Sequence, residues 1–162
     1  MNPTQEGGME ALDDFDRKIL VALQRDGRLT SQQLADATAL SASQCARRRR
    51  RLEKLGVIKS YRANLSKRKV GLGVSAFVQV SLNNHGQPEI EAFARLLEVN
   101  PSILDACKLT GPTDYLLRVA TADLDELNRL ISEVLLPHPS VSHLQTHIVL
   151  EWLKEEGVLP VG

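Results

Sequence analysis

The sequence predicts an α+β protein with an N-terminal winged helix-turn-helix and a C-terminal ferredoxin-like βαββαβ domain. The first half contains three short helical patterns, and the second half alternates strand and helix patterns in the order β-α-β-β-α-β. The net charge of the chain also changes sign between the two halves. Residues 1–73 carry 15 Lys and Arg against 8 Asp and Glu (net +7), whereas residues 74–162 carry 5 against 12 (net −7). We therefore expect a DNA-binding domain over 12–65, a glycine-containing linker over 66–73 and an oligomerisation domain over 74–154.

Composition excludes several classes of protein. No apolar run approaches the roughly 20 residues that cross a bilayer. Residues 1–10 are polar and lack the apolar core of a signal peptide, so we expect a cytoplasmic protein without a membrane partner. Cys45 and Cys107 fall in separate segments and form neither a disulfide framework nor a metal motif. Because no Ser/His/Asp spacing or phosphate loop is visible, we expect neither an enzyme nor a cofactor.

Three helices in the first half are predicted from their start signals. Acidic residues 13–16 lie where a first helix begins, and carboxylates there meet unpaired backbone N–H groups. Thr30 and Gln33 fit a capping box that begins the second helix, and Ser41 and Gln44 repeat it for the third. Apolar side chains at helical spacing follow the first start signal: Phe15, Ile19, Leu20 and Leu23. Two short helices joined by a tight turn indicate a helix-turn-helix.

The third helix contains five consecutive arginines, residues 47–51. Five in a row cannot share one face, because each residue advances ~100° around a helix. If Cys45 and Leu52 face the core, Arg47 and Arg50 point farthest from it, with Ser43 between them. Arginine reads guanine bidentately in the major groove, and the start of a recognition helix usually meets the bases. The residues predicted to contact DNA are Ser41, Ser43, Gln44, Arg47, Arg48, Arg50, Arg51 and Lys54.

These cations are predicted to differ in role. We expect Arg51, Lys54 and Lys59 to contact phosphates, which position a protein without specifying sequence. Arg48 and Arg49 flank the apolar stripe, and an alternative is that they pair with Asp14, Asp16 or Glu53. The run is also compatible with a solvated basic face or an RNA-binding segment; the capped helix pair around it favours double-stranded DNA. Alternating residues 57–65 then predict a wing-like strand or hairpin.

The second half predicts strands at 74–82, 102–109, 115–121 and 141–150, with helices beginning near Pro88 and Asp123. Helices cover only one face of such a sheet. The other face carries apolar residues, so we expect oligomerisation, and a symmetric dimer suits two DNA half-sites. His143 and His147 share a strand face with Gln145. A metal site there is one interpretation, and ordinary polar or interface histidines are the interpretation we favour.

Several stretches together resemble the Lrp/AsnC, or feast/famine, family of transcription regulators. They are Leu-Asp-Asp-Phe-Asp-Arg-Lys-Ile-Leu at 12–20, Gln-Arg-Asp-Gly-Arg at 24–28, Thr-Gly-Pro-Thr-Asp-Tyr-Leu-Leu at 110–117 and Thr-His-Ile-Val-Leu at 146–150. The resemblance, which runs over about 12–154, implies a winged helix-turn-helix and an amino-acid-sensing domain. It also implies homodimers that assemble into tetramers or octamers, and a free amino acid bound near a Gly-x-x-Asp-Tyr loop.

Position by position, the resemblance places the effector against the loop at 111–115 and the fourth strand. The implied residues are Gly111, Pro112, Thr113, Asp114, Tyr115, Gln145 and Thr146, with the last two expected to face the same region. The family often has an acidic and then an aromatic residue where this chain has Pro112 and Thr113. Asp114 is a candidate partner for an effector ammonium group. The alternative is that it caps the turn before the third strand.

The sequence therefore predicts a sequence-specific transcription regulator that responds to a small amino acid. A second interpretation is a nucleoid-architectural protein that binds DNA with little sequence preference. A specific regulator shows a preferred site far above its non-specific affinity, whereas an architectural protein shows steep salt dependence with only weak preference.

Overall fold

In the computed structural model, the described residues are 11–84, 86–155 and 157–161. They form two compact units. One comprises the chain up to Ala63 together with the residues from Lys154 onward, and the other is Asn64–Leu153. The last described residues thus belong with the first unit, although the whole second unit separates them from it in sequence.

Three helices form the first unit: α1 (Asp14–Arg25), α2 (Ser31–Thr38) and α3 (Ala42–Lys54). Each begins with a complete capping box, formed by Asp13 and Asp16, Thr30 and Gln33, and Ser41 and Gln44. A side chain at each helix start therefore accepts a backbone N–H that has no partner within the helix. The apolar sides of the helices meet in one cluster of buried residues: Ile19, Leu20, Leu23, Leu34, Ala35, Cys45 and Leu52.

The turn between α2 and α3 is made by Ala39, which lies in the left-handed region with φ of 58°. Glycine adopts this conformation without steric cost, whereas an alanine Cβ crowds the following carbonyl. The helix-turn-helix therefore keeps its tight turn despite an unfavourable residue. Its geometry is maintained by the buried helices on both sides, Leu34 and Cys45 being 0% exposed.

The predicted wing strand is wrong. Residues 57–65 contain no strand, and a short 3-10 helix, Lys67–Val70, lies within the predicted linker. Individual side chains of the segment contact α3 instead. The Tyr61 hydroxyl donates to Glu53 Oε1 at 2.9 Å, and Ile58 packs against the helical core. Val57, Tyr61 and Leu65 are exposed, so the alternation does not mark a buried strand face.

The second unit has strands β1 (Val74–Leu82), β2 (Ile103–Lys108), β3 (Tyr115–Thr121) and β4 (Val141–Ile148). Helix α4 (Gln87–Val99) follows β1. Helix α5 (Leu124–Arg129) follows β3 and continues into a π-helical segment, Leu130–Leu135. All three strand pairings are antiparallel, in the order β2-β3-β1-β4. This is the predicted βαββαβ arrangement, with β4 two residues shorter than expected.

The core of the second unit lies between the sheet and its helices. Alternate β1 residues Ala76, Val78 and Val80 are fully buried, and Phe93 of α4 packs among them. Because Val78 lies opposite Leu117 on one side and Thr146 on the other, these residues share the helix-covered face. The opposite face carries Phe77 and the side chains in register with it. No helix among the described residues is long and apolar enough to cross a membrane.

The Ala39 turn generates a stability prediction. Ala39→Gly should raise the free energy of unfolding by about 1 kcal/mol, since glycine removes the left-handed strain. Ala46→Gly, inside α3, is the matched control and should lower it by about 1 kcal/mol. Urea unfolding followed by circular dichroism measures both. Equal losses for the two variants would contradict the strain at Ala39.

Candidate DNA-binding helix and effector loop

The five arginines of α3 divide into two groups. Arg47 and Arg50 are exposed, whereas Arg48, Arg49 and Arg51 are half-buried. This is the distribution expected from the helical rotation that places Cys45 and Leu52, both 0% exposed, in the core. Two guanidinium groups therefore extend into solvent, and three lie against the rest of the unit.

Asp16 of α1 binds two of the half-buried arginines. Its side chain is 1% exposed, and its carboxylate oxygens accept from Arg48 at 2.8 Å and from Arg51 at 2.9 Å. Arg48 also donates to Asp13 Oδ2 at 2.7 Å. A buried carboxylate requires such charged donors, because burial without them costs several kcal/mol. The pairs therefore fix α3 against the start of α1.

Ionisation follows this geometry. The pKa of the Arg48 guanidinium is raised above its ordinary value, first by the hydrogen bond to Asp16 and then by that to Asp13. The pKa of Asp13 is lowered, first because its carboxylate accepts the Asp16 backbone N–H and second because it accepts from Arg48. Both shifts favour the charged forms, so the pairing persists across the physiological range.

Arg49 forms a second group with Tyr61 and Glu53. Its guanidinium donates to Glu53 Oε1 at 3.1 Å and to the Leu29 carbonyl at 3.1 Å, and it lies 4.7 Å from the centroid of the Tyr61 ring. The Tyr61 hydroxyl lowers the pKa of Glu53 by donating to its carboxylate. The pKa of Tyr61 itself is raised, first by burial and then by that hydrogen bond. Arg49 thus anchors the segment after α3 and does not extend outward.

The exposed side of α3 carries the residues predicted to read bases. Ser43, Arg47, Arg50 and Lys54 are exposed along it. Arg50 lies near its own helix, with Nε donating to the Ala46 carbonyl at 3.3 Å. A surface depression of about 440 Å³ is lined by Arg47, Arg50, Arg51, Lys54 and Leu55. This side of the helix therefore concentrates hydrogen-bond donors and positive charge.

The first predicted contacts, Ser41 and Gln44, have a structural role as well. Ser41 Oγ accepts the Gln44 backbone N–H, while Gln44 Oε1 accepts the Ser41 backbone N–H at 2.9 Å. Ser43 Oγ lies 3.0 Å from Ser41 Oγ. These side chains are exposed, yet their oxygen atoms already hold the start of α3. A role in DNA contact has to be compatible with the cap.

Only part of the arginine pairing was predictable from the sequence. Asp16 and Glu53 were among the expected partners of Arg48 and Arg49, but Asp13, not Asp14, is the second partner of Arg48. Arg51 was expected at a phosphate, and the structure gives it a partner in Asp16. The sequence offers little signal for this pair, because Asp16 lies 35 residues from Arg51 and the pairing depends on how α1 and α3 pack.

In the second unit, the predicted effector loop connects β2 to β3. Gly111 has φ of 120°, a backbone conformation that favours glycine. Asp114 holds the end of the loop: its carboxylate accepts the Leu82 N–H at 2.7 Å, and its own N–H donates to the Val80 carbonyl at 3.0 Å. Asp114 therefore connects the end of the loop to β1, and both its expected roles, capping the turn and binding an effector, stay predictions. Pro112, next to Gly111, is exposed.

The remaining predicted effector residues are not all brought together. Tyr115 lies opposite Val80 on the helix-covered face, and its ring is 5.2 Å from that of Phe93. Gln145 and Thr146 are adjacent in β4 and point to opposite faces of the sheet, Gln145 opposite Gln79 and Thr146 opposite Val78. The expectation that both face one region is wrong, because neighbours on a strand alternate. Thr113 is half-buried within the loop.

His143 and His147 share the face of Gln145, opposite Ser81 and Phe77. Within residues 11–84, 86–155 and 157–161, no group of three or more His, Cys, Asp or Glu side chains is arranged to hold a metal ion.

Comparison with known proteins identifies the two units. Residues 12–59 match a winged helix-turn-helix DNA-binding domain, and residues 75–159 match the Lrp/AsnC ligand binding domain. The chain belongs to the Lrp/AsnC family of transcriptional regulators. It is therefore a DNA-binding regulator with a ligand-binding domain, and the fold class and family resemblance predicted from the sequence are confirmed.

Individual relatives agree over nearly the full chain. The glutamate uptake regulatory protein of Zymomonas mobilis is 36% identical, over 93% of this chain and 91% of its own length. The leucine-responsive regulatory protein of Escherichia coli is 33% identical, over 93% and 92%. A transcriptional regulator of Neisseria meningitidis, solved as its L-Met complex, is 38% identical with a TM-score of 0.90, over 93% of this chain and 97% of its own.

The Asp16 pairs generate a second prediction. Asp16→Asn should lower the free energy of unfolding by about 1–3 kcal/mol, because Arg48 and Arg51 lose a charged acceptor in a buried site. Asp14→Asn, an exposed change in the same first turn, is the matched control and should cost under about 1 kcal/mol. Denaturant unfolding of both variants measures the difference. If the two losses are equal, Asp16 does not fix α3.

Proposed function

We propose that this regulator binds a specific DNA duplex through α3, with Ser43, Arg47 and Arg50 in the major groove. The observation that carries the proposal is the division of the arginine run by Asp16 and Glu53. With three guanidinium groups paired inside the unit, Arg47 and Arg50 are the arginines exposed on the outer side of the helix. They lie three residues apart, nearly one helical turn, so both can enter one groove.

Phosphate contacts are assigned to the cations at the edges of this side. Lys54 and Arg51 line the depression beside Arg50, and Lys59 follows the helix. Arg51 reaches a phosphate while its other donors remain on Asp16. Arg48 is assigned a positioning role, since Asp13 and Asp16 already accept its donors. Ser41 and Gln44 contact the duplex near the start of α3, with their cap retained.

A homodimer that assembles to a tetramer or octamer is the form we propose for DNA binding. Support comes from the sheet face opposite α4 and α5, which carries Phe77 and Leu116, and from Leu104 of the edge strand β2, which is 39% exposed. Burying such a face in a second copy removes apolar surface from water. A twofold dimer also presents two recognition helices to two half-sites.

A free amino acid is the effector we propose, held near the loop at 111–115. The ligand-binding domain supports this, as does the L-Met bound by the Neisseria relative. One carboxylate oxygen of Asp114 accepts the Leu82 N–H, and the negative charge of this side chain at the loop attracts an ammonium group. Pro112 contributes no backbone donor, so the effector carboxylate must find its N–H donors elsewhere in the loop. Gly111, Thr113 and Tyr115 remain candidate neighbours of the effector, and one of Gln145 and Thr146 can join them, since the two point to opposite faces of the sheet.

Base reading by α3 is tested by removing its outward arginines. Arg47→Ala and Arg50→Ala should each weaken binding to the preferred site by about 1–3 kcal/mol, and should weaken binding to random duplex much less. Fluorescence anisotropy at several salt concentrations measures both affinities. Arg95→Ala, an exposed arginine of α4, is the control and should change neither.

The same titrations separate the two kinds of DNA-binding protein. Equal losses on preferred and random duplexes would show phosphate contact and favour the architectural interpretation. Absence of any complex with duplex DNA at low salt would remove the proposed function altogether.

Effector binding is tested by thermal shift with each of the twenty amino acids. One of them should stabilise the wild type, by about 2.7 kcal/mol when its concentration is 100 times its Kd. Asp114→Asn keeps an oxygen for the Leu82 N–H but removes the charge, so it should abolish this stabilisation without unfolding the protein. Asp125→Asn in α5 is the control and should respond as the wild type does. A normal response from Asp114→Asn would remove Asp114 from the site.

A further inference from the structure

A groove on the outer side of α1 borders the last described residues of the chain. The side chains of Arg17, Val21 and Arg25 recur at helical spacing along it, and Ala37 of α2 forms part of its other wall. The groove has a volume of about 470 Å³, and Val161 forms part of its wall. Val161 also packs against the buried helical cluster of the first unit. The last described residues of the chain therefore lie against the first unit beside this groove.

Gln24 binds the backbone of this segment at two points. Its side-chain Nε2 donates to the Leu159 carbonyl at 3.2 Å, and its Oε1 accepts the Leu159 N–H at 2.6 Å. Leu159 precedes Pro160, and a residue before proline favours an extended backbone. The N–H and C=O of an extended residue point to the same side, so one carboxamide can satisfy both. This pairing recognises an extended peptide irrespective of the Leu159 side chain, which is 71% exposed.

Contacts along the segment are selective. Val161 is partly buried against the core, whereas Val158 is 57% exposed. Two valines in the same short segment therefore differ in burial. This difference indicates that the segment binds in one defined register and not by non-specific apolar contact. The groove lies on α1 and α2, and none of the predicted DNA contacts on α3 lines it.

Docking of this segment changes the number of connections between the two units. The chain leaves the first unit after Ala63 and returns to it at Lys154. On the second unit the two crossing points are close together, since Lys67 Nζ lies 5.0 Å from the centroid of the Trp152 ring. Once the returning segment is bound at Gln24, the DNA-binding unit has two chain connections to the ligand-binding unit. Because the segment is tethered, weak contacts suffice to keep it bound.

We propose that the surface of α1 beside this groove is a docking site for the chain's own C-terminal segment, residues 157–161, which acts as a second tether between the two units. The docking goes beyond the proposed function and does not depend on it, whereas any effect on the DNA response rests on that function. A protein that binds no DNA would still show a docked segment.

Amide hydrogen exchange of the full-length protein, followed by NMR, tests the docking at the Leu159 N–H. In the wild type this amide should exchange roughly tenfold more slowly than in an unstructured peptide, because Gln24 accepts it. Val161→Asp should remove the protection by placing a charge against the apolar core. Val158→Asp is the matched control and should retain it. Equal exchange in the two variants, or an unprotected amide in the wild type, would overturn the proposal.

A second variant tests the recognition by Gln24. Gln24→Leu keeps the size and helix preference of the side chain but can accept no N–H, so Leu159 should again lose protection while the α1 amides keep theirs. Gln32→Leu, on the exposed side of α2, should leave Leu159 protected. Protection unaffected by Gln24→Leu would contradict backbone recognition by the carboxamide.

Measuring the protection of Leu159 at several protein concentrations tests whether the bound segment belongs to the same chain or to a neighbouring copy. A segment from the same chain stays protected at every protein concentration, since its local concentration is fixed by the tether. Protection that decreases on dilution would show that the groove takes the segment of a neighbouring copy, and would overturn the assignment to the same chain.

Discussion

One buried carboxylate, that of Asp16, determines how the arginine-rich helix can be used. Because its side chain is 1% exposed, it needs charged donors, and Arg48 and Arg51 supply them from the neighbouring helix. These pairs agree with the rotation of α3 that the burial of Cys45 and Leu52 sets, and they stabilise it. With that rotation fixed, Arg47 and Arg50 necessarily point into solvent. The run of five arginines thereby becomes two outward groups and three inward ones.

The rest of the first unit supports this arrangement by local means. Three capping boxes define where the helices begin, and the left-handed residue Ala39 sets the angle between α2 and α3. Tyr61 and Arg49 hold the segment that follows α3. The second unit is built differently, from a sheet that is apolar on its helix-covered face. The positive charge of the chain thus belongs mainly to the half that contains α3, and the negative charge to the half that contains the sheet.

Local features of the fold were predictable, and non-local ones were not. Helix starts follow from Thr30 with Gln33 and Ser41 with Gln44, because caps involve residues three apart. The outward direction of Arg47 follows from helix geometry alone. Pairing over long separations left no local signal, so the Asp16–Arg51 contact and the docking of residues 157–161 were missed. The predicted wing strand was wrong because alternation describes single residues, whereas a strand also needs a neighbouring strand to pair with.

Trp152 gives one edge of the second unit an intrinsic fluorescence signal. It is the only tryptophan of the chain. Its ring packs edge-on against that of Phe77, with 5.8 Å between the ring centroids. The Lys67 ammonium lies 5.0 Å from the centroid of the same indole ring. Indole emission responds to nearby charge and to solvent. The intrinsic fluorescence of the unlabelled protein therefore monitors the place where the chain passes from sheet to tail, without interference from a second fluorophore of the same kind.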